Sequence, residues 1–194
     1  MFKGTSASAG IGIGKAVIVE EAELVITRNE VADAEGEIQR FKGALEKTIA
    51  ATQKMADDLA SRVGEKEAEI MQGHMMLLSD PMLTGEIENS VRNDKVNSEF
   101  AIENVCNMYA DMFASMGDEL MQQRATDMRD IKVRMQRTLM GLESVDVSLL
   151  PKGSILVAKD LTPSMTAGIN PENVSGIVTE LGGKTSHSAI LARA

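Results

Sequence analysis

The sequence predicts an α+β protein: an antiparallel helical bundle inserted into an α/β domain. Three observations carry this. All four prolines lie at positions 81, 151, 163 and 171, so residues 1–150 hold a single proline able to interrupt a helix. Between residues 30 and 142 apolar side chains recur at helical spacing, whereas both flanks carry short β-branched runs bounded by glycine or proline. The N-terminal runs are too few to form a sheet alone, so they must pair with the runs beyond residue 150. The expected domains are therefore 1–29 with 144–194 for the α/β part, and 30–143 for the helices.

In chain order, the first expected strands are KAVIVE (15–20) and LVIT (24–27). The stretch before them, GIGIGKA (10–16), is not a phosphate loop. Ala9 stands where that motif needs its first glycine, and Ala16 where it needs Ser or Thr. A dinucleotide fingerprint is excluded too, because too little chain precedes Gly10 for a strand. The glycines read as a flexible lead into the first strand.

Four main helices follow. The first, 32–62, places Ile38, Phe41, Leu45, Ile49, Thr52 and Met55 along one face. The second covers 66–79 and runs on past Pro81 to about residue 93. The third, 98–116, aligns Ile102, Val105, Met108 or Tyr109, Met112 and Met116. The fourth, 119–141, aligns Ile131, Met135 and Leu139, with Leu142 just beyond. Twelve of the 14 methionines fall between 55 and 140, where helical spacing points to core packing. The last strands are SILVAK (154–159) and VSGIVTE (174–180), separated by the helix-and-turn stretch DLTPSMTAGINPEN.

Composition narrows the function classes. At 194 residues and 43% hydrophobic content the chain supports a real core, yet no window is apolar enough to span a membrane. The N-terminus lacks a signal peptide's continuous apolar run. The single cysteine, Cys106, excludes an internal disulfide framework and a cysteine metal cluster, which suggests a reducing, cytoplasmic setting. The net charge of −9 argues against nucleic acid. Residues 33–143 hold 21 acidic and 13 basic residues, so the helical block carries nearly all of that charge. A basic protein partner and plain solubility both fit this pattern.

Chemistry-bearing candidates are few. His74 lies between apolar stripes of its helix, as a boundary residue or a partner contact, and no metal-ligand spacing surrounds it. Arg124, Asp127, Arg129 and Asp130 in RATDMRD form either an ion-pair network or a solvated face. His187 has a more specific setting. A strand runs into Gly182–Gly183, then Lys184–Thr185–Ser186, then the helix-forming SAILAR. Thr185 or Ser186 can cap that helix, and its first-turn N–H groups with Lys184 make an anion site beside the imidazole. A neutral imidazole next to an anion site suits a phosphoryl acceptor. An ordinary capped helix with a partly exposed histidine fits as well.

GGKTSHSAILAR closely resembles the phosphohistidine signature of Enzyme I of the bacterial sugar phosphotransferase system, the phosphoenolpyruvate-protein phosphotransferases. Pyruvate phosphate dikinases and phosphoenolpyruvate synthases share a similar signature. GTSASAGIGIGKA at 4–16, GHMMLLSD at 73–80, RATDMRDI at 124–131 and DLTPSMTA at 160–167 resemble Enzyme I in the same order. The dikinases would place a nucleotide-binding domain upstream. The resemblance covers essentially the whole chain. It implies an HPr-binding helical domain inserted into a swivelling phosphohistidine domain, cut short on its C-terminal side.

By resemblance His187 carries the phosphoryl group on Nε2 and Thr166 orients its imidazole. Gly182, Gly183, Lys184 and Ser186 form the surrounding turn. The bundle docks the phosphocarrier HPr, with Glu65, Glu67, His74, Asp80 and Arg124 as contacts. The match has departures: Lys66 separates two acids usually adjacent, Pro81–Met82 stand where a further acid is usual, and SAG replaces SPG. Full-length Enzyme I continues into a domain that binds phosphoenolpyruvate and Mg²⁺ and forms the homodimer; no cofactor is implied for this stretch itself. The expected activity is reversible phosphoryl exchange with HPr in sugar uptake, without self-phosphorylation from phosphoenolpyruvate. The α/β half is expected to expose a sheet edge and part of its apolar face. Two alternatives are a phosphohistidine domain of the dikinase or synthase type and a non-enzymatic acidic adaptor for a basic partner.

Overall fold

The computed structural model describes residues 4–182 and Ala189. The chain divides into two compact units. One comprises Met1–Ala22, Asp57–Ala68 and Val145–Ala194; the other comprises Glu23–Ala56 and Glu69–Ser144.

Among the described residues the first unit has three parallel strands, β1 (Lys15–Val19), β2 (Ser154–Ala158) and β3 (Val174–Thr179), in the order β1-β2-β3. The N-terminal strand β1 does pair with β2 from beyond residue 150, in a register that sets Lys15 opposite Ser154 and Val19 opposite Ala158. Between β2 and β3 lies the short helix α6 (Pro163–Gly168), capped by Thr162, whose hydroxyl accepts from the Met165 N–H. Leu156, Ala158, Val19, Leu161 and Ile169 fill the covered side of the sheet. Among the described residues no layer covers the other face. Ile18 lies opposite Val157, and Val157 opposite Val178, so the three form one row. Ile18 is 70% and Val178 55% exposed. Parallel sheets ordinarily bury both faces, so this open face matches the exposure expected of the α/β half.

The glycine lead into β1 is a packed crossing rather than a flexible one. A Cβ on Gly12 would collide with the Ser175 carbonyl, and one on Gly14 with the Gly153 carbonyl. Glycine is required here because backbone meets backbone. The end of α1 (Ala34–Arg62) belongs to this unit, and the Arg62 guanidinium donates to the carbonyls of Ile169 (2.8 Å) and Ala167 (3.0 Å) at the C-terminus of α6. A cation there also complements the partial negative charge of unpaired carbonyls.

The second unit is helical. Its elements are α1 (Ala34–Arg62) up to Ala56, α2 (Glu65–Leu78) from Glu69, α3 (Pro81–Asp94), α4 (Ser98–Ser115) and α5 (Glu119–Met140). The expected second helix is two. Asp80 takes an extended conformation and its carboxylate accepts from the Met82 N–H, with Pro81 at the first helical position. A capping acid followed by proline starts a new helix, because proline lacks the N–H that continuation requires. The strand expected at 24–27 is absent, for this helical unit offers its β-branched residues no sheet edge. Only an isolated antiparallel bridge, Glu30 to Val96, marks that region.

Ile38 and Phe41 of α1, Leu78 of α2, Leu83, Ile87 and Val91 of α3, Ile102 of α4 and Met128, Ile131 and Met135 of α5 share one core. The helical spacing read from the sequence therefore does converge on one interior. Methionine departs from expectation. Of the twelve between 55 and 140, only Met71, Met128 and Met135 are buried, while Met76, Met82, Met108, Met112, Met116 and Met140 are exposed. The apolar band on α4 is wider than its neighbours cover. Met108, Met112 and Met116 recur every four residues on the uncovered side.

Candidate functional site

Two regions hold the predicted site residues, one in each unit. In the α/β unit the parallel strands β2 and β3 deliver their C-terminal ends side by side. Pairing continues beyond β3, with the Leu181 N–H donating to the Lys159 carbonyl at 2.8 Å. Thr162 and the start of α6, up to Thr166, follow β2 here, and Gly182 follows β3. Ligands of open α/β sheets bind beyond the carboxyl ends of strands. Gly182 has a φ of 101°, a left-handed value that favours glycine. His187, Gly183, Lys184 and Ser186 lie outside the described residues.

Thr166 is 3% exposed, and its hydroxyl donates to the Thr162 carbonyl one turn earlier at 2.9 Å. The hydroxyl is thus anchored to the backbone of its own helix. Toward another group Thr166 offers its remaining lone pairs.

In the helical unit, His74 is not the boundary residue that the apolar stripes suggest. It is fully buried, so it presents no surface for direct contact with a partner. Its Nε2 lies 3.2 Å from Asp127 Oδ1 and its Nδ1 4.0 Å from Asp130 Oδ2, and Nδ1 has no hydrogen-bond partner. Both aspartates are themselves buried. RATDMRD is therefore neither a solvated face nor a closed network. Its acids turn inward onto His74, while Arg129 pairs outward with the exposed Asp111 at 3.9 Å. Arg124 remains near the surface, 3.8 Å from Asp127 Oδ2. Arg134, buried beside this group, donates to Thr52 at 2.7 Å, and burial lowers its pKa against the pull of Asp130.

The remaining expected contacts are distributed. Asp80 is the N-cap of α3, and Glu65 and Glu67 form the acidic first turn of α2. Glu65 and Glu67 belong to the first unit; His74, Asp80 and Arg124 belong to the second. Asp127 and Asp130, which close around His74, were legible only as spacing on α5. A contact 53 residues away in sequence has no local signal.

The helical unit also holds a cavity of about 280 Å³ lined by Val25, Ile26, Asn97 and Met140 around Arg40. Arg40 bridges Glu37 at 2.6 Å and Glu99 at 2.7 Å. Burial pushes both carboxyls up, but their hydrogen bonds outweigh it and leave both below the usual range. The charges there satisfy one another, and the cluster ties α1 to α4. Cys106 is buried, and desolvation pushes its thiol up to about 12, so it is no nucleophile. Among the described residues no group of three or more His, Cys, Asp or Glu is placed to hold a metal ion. No helix among them is long and apolar enough to cross a membrane.

Comparison with known proteins agrees with this architecture. Residues 3–124 match the family described as PEP-utilising enzyme, N-terminal, and residues 150–194 match PEP-utilising enzyme, mobile domain. Phosphoenolpyruvate-protein phosphotransferase of Listeria monocytogenes is 42% identical over 192 residues, and that of Bacillus subtilis 40% identical over 192 residues. In each case the match covers 99% of this chain but 34% of the relative's length. A solution structure of Enzyme I (nEIt) aligns with a TM-score of 0.86 at 38% identity, covering 99% of this chain and 78% of that one. The N-terminal domain of Enzyme 1 - Nitrogen aligns at 0.68 and 26% identity, covering 96% and 77%. With the N-terminal family matched over residues 3–124 and a solved Enzyme I structure followed along 78% of its length, the chain belongs to the PEP-utilising enzymes.

Proposed function

We propose that this chain is the phosphoryl-relay part of a phosphoenolpyruvate-protein phosphotransferase, exchanging a phosphoryl group between His187 and the histidine of the carrier HPr. The observation that carries this reading is the mobile-domain match over residues 150–194, which takes in both Thr166 and His187. Relatives matched along 99% of the chain are named phosphoenolpyruvate-protein phosphotransferases, which favours this over a dikinase-type domain or a non-enzymatic adaptor.

Thr166 supports the chemistry. Its hydroxyl lies 2.9 Å from the Thr162 carbonyl and keeps lone pairs with which it can accept from an imidazole N–H. An acceptor on Nδ1–H fixes the tautomer in which Nε2 keeps its lone pair, ready to attack phosphorus. In the relay, a nitrogen lone pair of the carrier's imidazole forms a P–N bond in line as the bond to His187 Nε2 breaks. The bonding pair returns to Nε2, so both imidazoles exchange roles without net proton transfer. Positioning and charge stabilisation dominate a transfer of this kind. Gly182, Gly183, Lys184 and Ser186 supply the turn and donors around the group.

HPr docking belongs to the helical unit in this proposal. The exposed methionines of α4 give an adaptable apolar stripe on a strongly acidic block, suited to a partner with basic and apolar residues. Reaction with phosphoenolpyruvate, Mg²⁺ binding and dimerisation are assigned to the part of the relatives that this chain does not span. The described residues offer Mg²⁺ no ligand set, and no step here runs through it. A cytoplasmic setting completes the proposal, in keeping with a single cysteine that is buried.

The test is to mix the chain with phosphorylated HPr and follow an acid-labile, base-stable phosphoryl adduct. The wild-type chain gains the label and His187→Ala does not. Labelling of His187→Ala would sink the assignment.

A further inference from the structure

We propose that Gly73, His74 and Asp127 are positioning residues that hold Arg124 as a pre-aimed donor for an acceptor oxygen of the docked carrier. The inference rests on reading the helical unit as the carrier's dock.

Four observations converge. Arg124 is partly exposed, with 30% of its side chain accessible, and among the described residues its one ion pair is the long contact of 3.8 Å to Asp127 Oδ2. Most of its planar fork of donors is thus uncommitted. Asp127 is only 6% exposed, and a buried carboxylate requires partners. His74 supplies one at 3.2 Å from Oδ1, which leaves Oδ2 turned to Arg124. His74 is fully enclosed, so packing locks its ring and, through it, the carboxylate.

Gly73 completes the seat. It sits inside α2, where glycine weakens a helix relative to alanine. A Cβ built on Gly73 would lie 2.7 Å from Arg124 Nη1 and 3.7 Å from Cζ. The guanidinium therefore lies over the bare α2 backbone, and the contact explains a residue that local propensity disfavours. With Nη1 seated between Gly73 and Asp127, the rest of the fork is the part available to a partner. An arginine fixed in this way loses little freedom when it meets a carbonyl, carboxylate or phosphoryl oxygen, which is the gain from preorganisation.

The experiment compares wild type, Gly73→Ala, Asp127→Asn, Arg124→Ala and the Gly73→Ala/Arg124→Ala double variant in the full chain. HPr affinity is read by calorimetry, folding by thermal unfolding, and Arg124 by its side-chain Nε–Hε resonance. Arg124→Ala and Gly73→Ala each weaken HPr binding by about tenfold. Gly73→Ala melts no lower than wild type, since only the flexible end of Arg124 must give way and alanine favours the helix. The double variant binds no worse than Arg124→Ala, because both changes remove one interaction. The Nε–Hε resonance shifts in Gly73→Ala and in Asp127→Asn. An unchanged affinity in Gly73→Ala, or losses that add in the double variant, would overturn the proposal. Should wild type not bind HPr at all, the docking reading fails. The resonance still decides the positioning: a shift in Gly73→Ala supports it, and an unmoved signal ends it.

Discussion

In the helical unit each amphipathic helix turns an apolar stripe onto a shared interior, from Ile38 and Phe41 to Met135, whereas the sheet of the α/β unit covers only one of its faces. The difference follows from how each element buries its backbone and side chains. A helix satisfies its own hydrogen bonds and needs one covered stripe, so a few helices joined by short turns close a core. A parallel strand needs neighbours on both edges and layers on both faces, and these come from distant parts of a chain. Ile18, Val157 and Val178 form a row for which no covering layer lies among the described residues.

The sharpest way to break this comparison is to hollow the closed core. Ile87→Ala removes a fully buried side chain from α3 and should destabilise the helical unit by about 2–5 kcal/mol. Urea unfolding followed by far-ultraviolet circular dichroism measures it, and a loss below about 1 kcal/mol would mean the core relaxes around the gap. An intermediate effect is expected at the hinge of helix and sheet chemistry within the first unit. Arg62→Ala deletes two charge-assisted donors to α6 carbonyls and should cost about 1 kcal/mol. Hydrogen exchange should quicken at the amides of Thr166 and Ile169 while those of α5 keep their protection. The smallest effect belongs to the open face. Ile18→Thr keeps the β-branch, should change stability by no more than about 0.5 kcal/mol, and should reduce binding of an apolar dye. A large destabilisation would show that the exposed row is packed in solution.

What was legible in the sequence follows the range of each physical effect. Helical spacing placed the helices to within a few residues, and the demand of strands for partners joined residues 15–19 to 154–158 across the intervening block. Strand propensity alone misled at 24–27, where the β-branched run meets no edge. Pro81 was legible as an interruption, but the new start depended on the Asp80 cap.

Residue types and spacings by themselves determined the helices between residues 34 and 140 and the acidic character of that block. Tertiary structure alone decided that His74 is buried against Asp127 and Asp130, and that six methionines of the helical block face solvent. It alone decided that Gly12 and Gly14 mark backbone crossings rather than a loose lead. Periodicity reports which side of an element is apolar. Which neighbour covers that side, and which side chain a distant residue meets there, depends on contacts far apart in sequence, where local patterning carries no record.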